Sequence, residues 1–66
     1  MQKLLFLKDC VLELAGDINE EPRELQVLAG TTLSAKVTRL TDFRIDFEYQ
    51  GYSVYSLNRE IVSVQA

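Results

Sequence analysis

The sequence predicts an all-β domain: a small barrel or a strongly bent antiparallel meander of five to seven short strands. Three observations predict it. Apolar and polar residues alternate in two runs: Leu33, Ala35 and Val37 interleave with Ser34, Lys36 and Thr38, and Phe43, Ile45, Phe47 and Tyr49 interleave with Arg44, Asp46 and Glu48. A period of two is that of a strand with one buried face. Gln50-Gly51 then separates the second run from a third, and a glycine able to take a positive φ suits a two-residue hairpin turn. Finally, turn-forming residues recur so often that every segment is shorter than ten residues.

Residues 3–8 and 10–15 are expected to be two strands bent at Lys8-Asp9. A helix is the alternative, because Leu4, Leu7, Val11, Leu14 and Ile18 also fit a helical spacing and Gly16 could end it. That would make an α+β fold, with one N-terminal helix on a four-stranded sheet. The continuous run Leu4-Leu5-Phe6-Leu7 and the absence of a preceding cap favour strands. Residues 17–24 are a loop, since Pro22 drives Glu21 out of the helical region. This is the most acidic stretch, with four carboxylates against one arginine, and a solvated loop is its simplest reading; the functional one is an acidic patch for a basic partner. Leu25 and Val27 begin a short strand, Ala29-Gly30-Thr31 turns it, and after the third run Asn58-Arg59 leads to a last strand at 61–64.

Registers follow from keeping one face apolar. The Gln50-Gly51 turn sets Tyr49 opposite Tyr52, Phe47 opposite Val54, Asp46 opposite Tyr55 and Arg44 opposite Leu57. At the preceding turn, a three-residue loop Leu40-Thr41-Asp42 pairs Arg39 with Phe43, Val37 with Ile45 and Lys36 with Asp46; a two-residue turn would put polar groups on the core face. The expected core is Leu33, Val37, Ile45, Phe47 and Val54. Strand number and length resemble SH3-like barrels over most of the chain. No family motif carries that resemblance, so it implies nothing specific about activity.

The 66 residues make a single small β domain, 1–66, with a correspondingly limited core and a tendency to associate. With no histidine, imidazole acid/base catalysis, Ser-His or Cys-His nucleophiles and histidine metal sites are excluded. Cys10, the one cysteine, cannot form an internal disulfide, and its acidic neighbours oppose a reactive thiolate; a structural role is expected. Gly16, Gly30 and Gly51 are isolated and form no phosphate loop, and Ser53, Ser56 and Ser63 have no base partner. Asp46 and Glu48 share a strand face but have cationic neighbours and no sign of a desolvated pocket. The 17–24 loop lacks the glycine and terminal glutamate of an EF-hand. No catalytic, cofactor or metal site is therefore expected. The first apolar run is too short for a membrane span or a signal core, which favours a cytoplasmic protein.

Two functional classes remain. The first is a non-enzymatic protein-interaction module, an adaptor, inhibitor or small subunit, whose partner is another protein or a second copy of itself. Its expected contact surface is Arg44, Asp46, Tyr55 and Leu57, because the register puts a large aromatic and a large aliphatic group among charges. The competing explanation is a strand that bends so that another segment covers both. The second class is a nucleic-acid-binding small β-barrel using Arg39, Arg44, Tyr55 and Arg59. The net charge of −3 and the dispersed cations count against it.

Overall fold

The computed structural model describes residues 1–65. They form seven strands: β1 (Gln2–Phe6), β2 (Cys10–Leu14), β3 (Arg23–Val27), β4 (Thr32–Leu40), β5 (Arg44–Tyr49), β6 (Tyr52–Asn58) and β7 (Val62–Gln65). The class is all-β, as expected. The N-terminal segment is two strands, and among the described residues there is no helix, hence none able to cross a membrane.

Two antiparallel sheets share these strands. One has the order β6-β5-β4-β1-β7, and the other is the β2–β3 ribbon. Ala15, just past β2, exchanges two backbone hydrogen bonds of 2.9 Å with Ser53 on β6 and so links the ribbon to the larger sheet. No ladder joins β3 to β7 among the described residues, so the strands do not close into a continuous barrel.

One core fills the space between the sheets. Leu12, Leu14 and Val27 of the ribbon meet Leu4, Phe6, Ala35, Ile45, Phe47, Val54 and Val62 of the large sheet. Of the expected core, Ile45, Phe47 and Val54 are buried, while Leu33 and Val37 are half-buried at its margin. The strand period explains the choice: Arg44, Asp46 and Glu48 take the opposite face of β5 from Ile45 and Phe47.

The Gln50-Gly51 turn forms as expected. Both residues have positive φ, 50° and 82°, the geometry that matches the twist of a two-residue hairpin. Tyr49 faces Tyr52 and Phe47 faces Val54. Beyond this point the expected register fails. Tyr55 and Ser56 together oppose Asp46, after which Ile45 faces Leu57 and Arg44 faces Asn58 rather than Leu57. This is a β-bulge, and the extra residue reverses the facing of everything after it. Leu57 therefore turns inward and packs against the core, whereas Tyr55 stays outside.

The β4–β5 register differs too. A second bulge inserts Thr38 between the pairs Val37–Phe47 and Arg39–Asp46. Leu40 faces Ile45, and the turn is centred on Asp42-Phe43, not on Leu40-Thr41-Asp42. The physical reason is Arg39. Without the bulge it would share the inward face of Val37, where a guanidinium lacks water; with it, Arg39 moves outside, opposite Asp46. Lys36 accordingly meets Glu48 instead of Asp46. Both cross-strand neighbours are opposite in charge.

Candidate interaction surface

The two bulges flank the same residue. On the outer face of the large sheet, Arg39 of β4 stands on one side of Asp46 and the Tyr55-Ser56 pair of β6 on the other. Bulges increase local twist and re-aim side chains. Here they accompany a hollow of about 140 Å³ lined by Arg39, Thr41, Arg44, Asp46 and Ser56. Small-molecule sites usually measure roughly 300–1,000 Å³, so this hollow suits a single side-chain head group better than a cofactor.

Ser56 is held in an uncommon conformation. Its φ is +55°, in the left-handed region that a non-glycine residue seldom occupies, and its N–H donates to Asp46 Oδ1 at 2.7 Å. The Asp46 carboxylate thus fixes the bulge, and one of its oxygens is turned to the backbone. Ser56→Gly should be tolerated without loss of stability. Ser56→Val should cost about 1–3 kcal/mol, because a β-branched side chain is strained at positive φ. Equal denaturation midpoints for the two variants would contradict the bulge.

The neighbouring turn is braced by side chains. Thr41 Oγ1 accepts the Arg44 N–H at 3.0 Å, and the Thr41 N–H donates to the Arg44 carbonyl at 2.9 Å. Arg59 ties in the β6–β7 turn: its Nη1 donates to the Thr41 carbonyl at 2.8 Å and its backbone N–H to the Phe43 carbonyl at 3.1 Å. A second, wider hollow of about 350 Å³ lies there, lined by Asp42, Phe43, Arg44, Asn58, Arg59 and Glu60. Arg44 borders both hollows.

Of the expected surface, Arg44, Asp46 and Tyr55 come together on this outer face, and Leu57 does not belong to it. Tyr55 is 67% exposed beside the hollow. Phe43, expected to continue the inward alternation of β5, is instead 76% exposed at the turn tip. Its place was hidden because the period of two assigns Phe43 and Ile45 to one face, and only the turn bonds of Thr41 show that Phe43 precedes the strand.

Charge on this end of the sheet is balanced. Arg39, Arg44 and Arg59 line the hollows together with Asp42, Asp46 and Glu60, three against three. The arginines of the nucleic-acid reading are gathered, but carboxylates interleave with them. Elsewhere, burial pushes the Cys10 thiol up from its ordinary value and the Asp9 carboxylate adds to the effect, which keeps the thiol protonated and weakly nucleophilic. Comparison of the chain with protein-family models, with curated proteins and with solved structures finds no match.

Proposed function

We propose that the protein is a non-enzymatic interaction module that binds a protein partner through the outer face around Arg44, Asp46 and Tyr55, extended by Phe43. One observation supports this above all. Two large aromatic side chains, Tyr55 on β6 and Phe43 at the turn before β5, face water at the arginine-bearing end of the sheet, although β5 and β6 bury a core on their other face. Exposed Tyr and Arg around a pocket are the residue types that dominate interface energetics.

The test separates contact from folding. Tyr55→Ala should stay within about 0.5 kcal/mol of wild-type stability, as an exposed substitution does, yet weaken binding by about 2 kcal/mol, the scale of an interface anchor. Leu57→Ser should do the reverse, losing about 1–2 kcal/mol of stability by exposing half-buried apolar area. Affinity capture from the native cell, with melting curves on the same variants, measures both. Retention of every partner by a folded Tyr55→Ala protein removes this surface as the site.

Arg39, Arg44 and Arg59 with Phe43 and Tyr55 also support the second reading, a single-stranded nucleic-acid surface. Its signature is affinity for an oligothymidylate that falls steeply with salt. The equal number of interleaved carboxylates favours the protein partner.

A further inference from the structure

We infer that the arginine-lined hollow between the two bulges receives the acidic loop of a second copy of this chain. The inference rests on the interaction-surface reading and names its partner. The loop supplies what the hollow lacks. Asp17, Glu20 and Glu21 are exposed, and Ile18 between them is 97% exposed, an apolar side chain at the tip of the most acidic stretch in the sequence. The loop is also shaped: the Ile18 N–H donates to Asp17 Oδ1 at 2.7 Å and the Glu20 N–H to the Asp17 carbonyl at 2.9 Å.

The hollow is complementary in kind. Arg39 and Arg44 outnumber Asp46, whose Oδ1 is engaged by the Ser56 N–H, and the Ser56 hydroxyl adds hydrogen-bonding capacity. Its volume of about 140 Å³ fits one carboxylate head group. Phe43, next door across Arg44, offers an apolar surface for Ile18. Arginine prefers carboxylates because its planar fork can donate two parallel hydrogen bonds.

Topology sends this contact between copies. The Ala15–Ser53 bridge anchors the start of the acidic loop near the Gln50-Gly51 end of the β5–β6 hairpin. Phe43, Arg44 and Arg59 lie toward the other end, where Arg44 faces Asn58. Ser56, which lines the hollow, is three residues from Ser53 on β6, roughly 10 Å at strand rise. Within one molecule the residues of the acidic loop line neither hollow, and their union with the hollow of another copy is head-to-tail. Such a contact closes into a ring or extends with concentration.

Charge exchange between two variants tests the inference on the intact chain. Sedimentation velocity at millimolar protein and about 0.05 M salt, where screening is weak, should show wild-type species larger than the monomer, and high salt should dissociate them. Arg44→Glu alone should weaken association at least about tenfold, since the loop would meet like charge. Glu20→Lys/Glu21→Lys alone should do the same from the other side. Mixed in equal amounts, the two variants should associate again, because the unaltered acidic loop of the Arg44→Glu protein fits the unaltered hollow of the other, and the lysine loop fits the altered hollow. All three positions are exposed, and circular dichroism checks that each variant keeps its sheet signal.

A monomeric wild type, a variant that associates like wild type, or a mixture that stays monomeric overturns the inference. If Arg44→Glu does not fold, the Glu20→Lys/Glu21→Lys protein and the salt series decide alone. A monomeric wild type that still captures a different protein through Tyr55 refutes the second copy as occupant and leaves the interaction surface standing.

Discussion

Phe47→Ala is expected to destabilise the protein by about 3–5 kcal/mol, the range for removing a buried phenylalanine ring. Phe47 is 1% exposed and stands between Val37 on β4 and Val54 on β6, in the middle strand of that half of the sheet. Truncation deletes the ring's transfer energy and leaves a cavity that two hydrogen-bonded neighbours prevent from collapsing. A domain of 66 residues has about 3–10 kcal/mol in total, at roughly 0.05–0.15 kcal/mol per residue. The loss is therefore a large share of the whole. Thermal and urea unfolding measure it. A melting temperature within a few degrees of wild type would mean that Phe47 does not fill the core.

Leu12→Ala is expected to cost about 2–5 kcal/mol. Leu12 is as buried as Phe47, but it belongs to the β2–β3 ribbon, which touches the large sheet through its apolar face and the Ala15–Ser53 bridge. An isolated two-stranded ribbon is marginal in water, so its order depends on that face. The substitution should show this in hydrogen exchange. Amides of β2 and β3 should lose protection at least as much as those of β4 and β5, and Ala15 and Ser53 should lose theirs with the ribbon. Unchanged protection at Ala15 and Ser53 in a destabilised protein would show that the bridge, not the side-chain packing, holds the ribbon.

Much of this architecture is legible in the sequence because its causes are local. Alternation assigns Ile45, Phe47 and Val54 to one face, since adjacent side chains of a strand point opposite ways. Gln50-Gly51 marks its hairpin because few residue pairs tolerate positive φ at both positions. The apolar run Leu4-Leu5-Phe6 is at home in a strand that the core covers on one side and β4 and β7 flank on the others, while Leu7 lies past the strand and is exposed.

The contact surface required more than local causes. Half of the β6 alternation, from Ser56 onward, is reversed by a bulge that no glycine announces: a serine takes the left-handed conformation because the Asp46 carboxylate, on another strand, accepts its N–H. Thr38 bulges where Arg39 reaches water opposite Asp46 while Val37 packs against the core. Each bulge shifts the two-residue period by one, so Leu57 enters the core and Tyr55 alone remains outside. Strand class and the Gln50-Gly51 hairpin were determined by the sequence through nearest neighbours. Sheet order, with β1 between β4 and β7, and the side on which each residue after a bulge emerges were decided only by tertiary structure, because they depend on groups far apart in the chain competing for one core and for water.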